Sequence, residues 1–350
     1  MDIKQLNEKL WQGKLTRRDL MKNAGMLGMG AMAAHFVTEK VGAAPEAVVE
    51  PQAKKWRCGG SWGSFLNSSW EARGVDTMKF LGDLLGIEVV PFDGGGSADG
   101  QRKSMDDMAA QKWDFACIHP WAIDAFVEPI NAIIKTGTPF FQLDTIISSD
   151  PNKVDYVTFL EPDNMFMGAS VTKQLVDALG GKGEIVHTQG MLTHTGAQGR
   201  AKGFHSVVDG MKDIKVVDET PGDWNSVKVR ALWEDLLVKY PNIAGGMFHN
   251  DDMALAAYGA VKAAGKEKQI KLVGVDGMSP AIEAVLNGQL LSTVINPVGR
   301  IHGGCMWIGW MLLTGKVKKA DVPKYILTDA PVVDLKTGPG FLFLANNLMI

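Results

Sequence analysis

Cysteine is scarce in this chain. Cys58, Cys117 and Cys305 are the three among 350 residues, and no Cys-x-x-Cys or His/Cys cluster occurs. That argues against a zinc site of the usual spacing. The reading is three small buried hydrophobic side chains, with a Cys58–Cys117 disulfide as the alternative. Charge excess is absent too: the net charge is -3, so bulk electrostatics give no footprint for nucleic acid. A dinucleotide loop is missing. "DGGGSADG" fails the Gly-x-Gly-x-x-Gly spacing, because Asp99 stands where the third glycine is required. His187, His194 and His205 form no triad with a serine elbow and read as surface or turn residues. No catalytic residue, metal ligand set or cofactor is expected, and the chain does not read as an enzyme.

What is present is the composition of a globular protein, 46% hydrophobic and 21% charged, with forty glycines. The start, "LTRRDLMKNAGMLGMGAMAAHFVTEKVGAAPEA", has three parts. Arg17 and Arg18 precede an apolar pair and Lys22. Ala24 to Val37 is a mildly apolar run, too short for a stable bilayer anchor. Val41-Gly42-Ala43 supplies small residues for cleavage. The stretch resembles a twin-arginine export signal over residues 1–43, with the mature chain starting near Ala44 and located in the periplasm. No Leu-x-x-Cys lipobox is visible. The same segment as a helix-turn-helix is disfavoured, since the Met/Gly/Ala-rich stretch just after Gly25 carries no polar residues to read bases or grip phosphates.

From Pro51 on, short apolar strands alternate with helical periodicity. "KKWRCGGSW", "IEVVPF", "WDFACIHP" and "TPFFQLD" read as strands, with helices over 68–85, 98–111 and 121–136 between them. The pattern restarts at "VDYVTFL" and runs through "GEIVHTQG", "IKVVDE", "IAGGMF", "IKLVGVDG" and "LSTVIN". Two similar α/β halves with parallel sheets follow, with their boundary near Asp144 to Lys153.

In open α/β sheets ligands bind beyond the carboxyl ends of the strands. Polar and aromatic residues gather there: Ser68 and Trp70, Asp144, Gln198, Trp224, Asn250, Asp276 and Asn296. Carboxylates accept from hydroxyls, amides donate and accept, and indole rings cover aliphatic C–H faces. The set suits a neutral polyhydroxylated ligand. Asp251 reads as a helix cap and Asn250 as the better ligand residue.

Three segments carry a resemblance: "GEIVHTQGMLTHTGAQGRAKGF", the stretch from Asp223 to Gly265, and "KLVGVDGMSPAIEAVLNGQLLSTVINP". They resemble the type I periplasmic sugar-binding proteins, the ribose- and galactose-binding group. The resemblance covers nearly all of Trp56 to Asn296. It implies two Rossmann-like lobes, residues 52–147 plus about 297–320 and residues 148–296, joined by a hinge of three crossings. These crossings are expected near Asp144–Ser148, Gly277–Pro280 and Asn296–Arg300. Residues 321–350 are left as an unassigned extension.

The resemblance also implies a monomer that closes on a monosaccharide or sugar alcohol and is recognised by an ABC permease in the inner membrane. It makes Trp70 and Trp224 the opposed stacking rings and Asp144, Asn250, Asp276 and Asn296 the hydroxyl partners. Two departures stand out. Thr145 replaces a common arginine, and Gln198 stands where a pocket arginine is usual, with Arg200 matching a second arginine. Both charges are therefore expected to be lost, which leaves room for a smaller sugar or a linear polyol. A sensor reporting to a receptor, or a non-carbohydrate ligand, are the alternatives.

Overall fold

The structure is a computed structural model that describes residues 53–346. The export-signal reading and the start near Ala44 lie outside the described residues.

The first lobe is built on a six-stranded parallel sheet. Its strands are β1 (Trp56–Trp62), β2 (Ile87–Asp93), β3 (Phe115–Ile118), β4 (Phe140–Leu143), β5 (Phe159–Pro162) and β11 (Tyr325–Thr328), in the order β11-β5-β4-β3-β1-β2. Every residue of β3 and β4 is buried, as strands covered on both faces must be. One face carries α1 (Ser69–Leu85) and α9 (Val298–Leu313), the other α2 (Ala98–Ala109) and α3 (Val127–Lys135).

The second lobe has a four-stranded parallel sheet. It comprises β6 (Gly183–Thr188), β7 (Ile214–Asp218), β8 (Ile243–Phe248) and β9 (Lys271–Val273), in the order β7-β6-β8-β9. Helices α4 (Asn164–Ala178) and α5 (Thr195–Val208) contribute to one core. Helices α6 (Ser226–Lys239), α7 (Asp251–Ala263) and α8 (Ser279–Leu286) contribute to a second. The short strands β10 (Thr293–Val294) and β12 (Val332–Val333) pair antiparallel, and α10 (Gly338–Asn346) packs with α8 through Ile282, Leu286 and Leu344.

The two-lobed α/β fold agrees with the sequence pattern, but the lobe boundaries differ. "VDYVTFL" does not open the second half. Its strand β5 pairs with β4, in the register Gln142↔Phe159 and Leu143↔Leu160, and covers what would otherwise be an open sheet edge. Residues 321–346 are not an appendage either. They supply β11 beside β5 and then cross to pair β12 with β10. The crossings therefore lie between β5 and α4, between β10 and α9, and between β11 and β12. Of the three expected positions, Asn296–Arg300 coincides with one.

The helix expected over 121–136 begins only at Val127, because residues 121–126 turn to place Trp121 in the cleft. All three cysteines are buried and free, so the disulfide alternative is not formed.

Candidate functional site

A cavity of about 520 Å³ lies between the lobes, at the carboxyl ends of both sheets. Seven of the eight residues singled out from the sequence line it: Ser68, Trp70, Asp144, Trp224, Asn250, Asp276 and Asn296. Gln198 does not. It is exposed on α5, and its amide donates to Leu192 O at 2.9 Å. Arg200, two positions on, is buried and lines the cavity. A two-residue step turns a helix by about 200°, so the pair cannot share a face. The expectation that both pocket charges are lost is thereby corrected: the Thr145 position is uncharged, but one guanidinium remains.

Backbone strain marks the same place. Asp144, Trp224 and Asp276 all have positive φ, at 61°, 58° and 122°. Non-glycine residues rarely adopt this region, and such residues cluster at functional sites. Two tryptophans are seated over glycines. A Cβ on Gly63 would come within 1.8 Å of the Trp121 ring, and one on Gly190 within 2.1 Å of the Trp224 ring. The forks of chain that carry these rings tolerate no side chain beneath them.

The wall of the first lobe is charged. Glu71, buried in the first turn of α1, accepts from the backbone N–H groups of Gly63 (3.3 Å) and Ser64 (2.6 Å). His119 stands between two carboxylates. Its Nδ1 is 2.8 Å from Glu71 Oε1 and its Nε2 3.3 Å from Asp144 Oδ2, both approaches lying off the ideal hydrogen-bond line. Burial alone would lower the His119 pKa, but Asp144 and Glu71 outweigh it and raise it to about 10. In turn His119, with Arg200, overcomes the burial of Asp144 and holds its carboxyl well below the usual range. Trp70 contributes its ring edge, with Nε1 donating to Asn296 O at 3.1 Å.

The wall of the second lobe is closer to neutral. Arg200 Nε donates to Asn164 Oδ1 at 3.1 Å, and Nη1 donates to His249 O and lies 3.8 Å from Asp276. Its guanidinium also sits 5.6 Å from the centre of the Trp224 ring. Burial raises the Asp276 pKa well above the usual carboxylate range, and Arg200 only partly offsets this. Asn250, not Asp251, caps α7, its Oδ1 accepting from Met253 N at 2.9 Å. That leaves the Asn250 amide nitrogen as a donor. Asp251 is instead an interior brace, accepting from Thr293 Oγ1 (2.7 Å) and Met278 N (2.8 Å).

Asn296 joins the two walls at the hinge. Its Nδ2 lies 3.3 Å from Asp144 Oδ1 and 3.5 Å from Asp276 Oδ1, while its buried Oδ1 has no partner. His194 Nδ1 is also buried without one. Burial and neighbouring His119 push the His194 pKa down to about 3, which keeps the ring neutral. Unpaired buried acceptors beside a cavity are places for ligand hydroxyls. Across the mouth, Ser69 Oγ donates to Asp252 Oδ1 at 2.9 Å and Ser69 N to Oδ2 at 3.2 Å, which latches the lobes together.

Sequence reasoning passed over Glu71, His119 and Trp121 as site residues, read His194 as a surface or turn residue, and matched Arg200 to a family arginine without placing it in the site. His119 and Trp121 follow β3 directly, so the strand-end rule used elsewhere would have found them had "HP" not been absorbed into the strand. The histidines are expected at the surface or in turns, and exposure fails for two of the three, although His194 does close a turn through its N–H to Met191 O at 3.0 Å. His187 and His194 are buried, and His205 is half-exposed.

The model of a family described as a periplasmic binding protein domain matches residues 63–317. The xylitol-binding protein of Mycolicibacterium smegmatis is 27% identical over 262 residues, which are 74% of this chain and 73% of that protein. The D-allose-binding periplasmic protein of Escherichia coli is 28% identical over 264 residues, 74% of this chain and 84% of that protein. The crystal structure of a galactofuranose binding protein superposes with a TM-score of 0.76 at 24% identity, covering 84% of this chain and 100% of that one. With its cleft between two parallel-sheet lobes and the family match spanning both, the chain belongs to the periplasmic binding protein domain family.

Proposed function

We propose that the protein is an exported solute-binding protein. It captures a monosaccharide or sugar alcohol between its lobes and delivers it to an ABC-type permease. The observation that carries the reading is the makeup of the cleft. Indole rings from both lobes, Trp70 and Trp121 on one side and Trp224 on the other, enclose Asp144, Arg200, Asn250, Asp276 and Asn296. Apolar rings cover C–H faces while the polar groups take hydroxyls, and no cluster of free cations is offered to an anion. The relatives named for xylitol and D-allose support a carbohydrate. Trp70, Trp121 and Trp224 are the contact rings, and Asp144 and Asn296 the principal hydroxyl acceptors, with Ser68 at the rim.

Ligand contacts to both lobes favour the closed form, and closure is the signal the permease reads. The site performs binding without chemistry. Export by the twin-arginine route rests on Arg17 and Arg18 and the segment that follows them. Among the described residues no helix is long and apolar enough to cross a membrane.

A thermal-shift screen of the full chain against pentoses, hexoses and alditols tests the ligand class. A ligand that binds only the native state raises the melting temperature. A hit abolished by Trp224→Ala and Asn296→Ala supports the reading. Shifts only with amino acids, nucleosides or anions overturn it.

A further inference from the structure

A second cluster of ligating groups lies in the second lobe, away from the residues that line the cleft. His187 at the end of β6, His205 on α5 and Glu219 just past β7 place one ligand atom each within 4.8 Å of one another. His187 Nδ1 is 2.8 Å and His205 Nε2 3.0 Å from the same oxygen, Glu219 Oε1. The remaining nitrogen of each ring is already held. Asp209 Oδ1 lies 2.8 Å from His205 Nδ1, and His249 Nε2 lies 2.8 Å from His187 Nε2. A carboxylate behind a ligating histidine, as Asp209 stands behind His205, is how metal sites orient their ligands. His187 is further fixed by stacking on Phe204, with ring centres 3.9 Å apart.

We propose that His187, His205 and Glu219 form a site for a divalent transition metal of the zinc class, with an open fourth position, coupled to the wall of the cleft. Zinc ligands at about 2.0 Å from the metal stand roughly 3.3 Å apart, so the cluster opens by a few tenths of an ångström to admit it. The side chains of His205 and Glu219, 37% and 39% exposed, have the freedom to do so.

The coupling follows from proton positions. His249 Nδ1 accepts from Gly190 N–H at 3.0 Å, so the His249 proton is on Nε2 and is donated to His187 Nε2. His187 therefore carries its proton on Nδ1, facing Glu219. A metal can take the Nδ1 lone pair only once that proton has left through Glu219 to solvent. The His249 Nε2 proton then crosses the hydrogen bond to His187 Nε2, and His249 Nδ1 takes up a proton from solvent, both rings staying neutral. His249 Nδ1–H now opposes Gly190 N–H, and the Gly190 backbone underlies the Trp224 ring. Metal occupancy thus pushes on a cleft wall.

The test titrates the full chain with zinc by calorimetry and with cobalt(II) by visible absorbance. One site with tetrahedral cobalt bands is expected. Affinity should fall at least tenfold in His205→Ala and likewise in Glu219→Gln, both surface substitutions that spare the core. Zinc should also change tryptophan emission, and Trp224→Phe should remove that change. The site is overturned if wild type binds neither metal, or if either surface variant binds as wild type does. It is also overturned if His194→Ala abolishes binding, which would place the metal on the cleft cluster His119, Asp144 and His194. Binding without any emission change overturns the coupling.

Discussion

The two lobes differ at His119 in the first and the pair His187 and His249 in the second, which are buried in opposite electrical states. In the first lobe His119 lies between Glu71 and Asp144 and is held protonated, with its pKa raised to about 10. In the second, His187 and His249 face each other at 2.8 Å, and burial lowers both pKa values. Burial opposes the charged ring in each lobe. The presence of two buried carboxylates decides the outcome in one, and a neutral hydrogen-bonded chain decides it in the other. One wall of the cleft is therefore an ion cluster that fixes Asp144, and the other is a set of neutral donors and acceptors around a single guanidinium.

The contrast can be broken most severely at His119. His119→Gln leaves two buried carboxylates without their cation, and about 3–5 kcal/mol of stability should be lost, measured by urea denaturation near neutral pH. The raised pKa sets the sign of the pH dependence. The contribution is fully present below about pH 6.5, the value for an unfolded histidine, declines as pH rises, and is gone above about 10. A difference between wild type and variant that grows with rising pH would contradict the assignment. The neutral histidines behave oppositely. His194, with its pKa pushed down to about 3, has its contribution fully present above about pH 6.5 and loses it as pH falls from there to about 3.

On the second wall Gly190→Ala drives a methyl group into the Trp224 ring. It should cost about 1–3 kcal/mol and displace that ring, read as a lower melting temperature and weaker carbohydrate binding. The contact between the walls is smaller. Asp252→Ala removes the acceptor of Ser69. It should weaken the closed form by about 1 kcal/mol, roughly a fivefold rise in Kd by calorimetry, with little change in the unliganded melting temperature. The smallest effect is expected at Gln198→Ala, below about 0.5 kcal/mol. A large loss of binding there would reinstate Gln198 as a cleft residue at the expense of Arg200.

Much of the fold was legible because its signals are local. Apolar runs such as those of β3, β4 and β8, separated by amphipathic segments, dictate a parallel sheet with helices packed against it. Ser68 before α1 and Asn225 before α6 cap their helices through side-chain oxygens. The strand-end rule led to most of the cleft because a parallel sheet puts all those ends on one side. It failed where an element boundary was misjudged, at His119 and Trp121, and where helical phase decided, at Gln198 and Arg200. The capping role expected of Asp251 falls to Asn250 for a similar reason. Adjacent residues at a helix start point in different directions, and only the packing of Met278 and Thr293 shows which one faces inward.

The sequence by itself determined the two-lobed α/β architecture and most of the polar and aromatic residues at its strand ends, since periodicity and punctuation act over a few residues. Tertiary structure alone decided where the chain crosses between lobes. It decided that β5 and β11 complete the first sheet, and it set the charge each buried histidine carries. Those depend on groups far apart in the chain, as His119 is from Glu71, brought within hydrogen-bond distance in a medium where burial and nearby charge set the free energy of every proton.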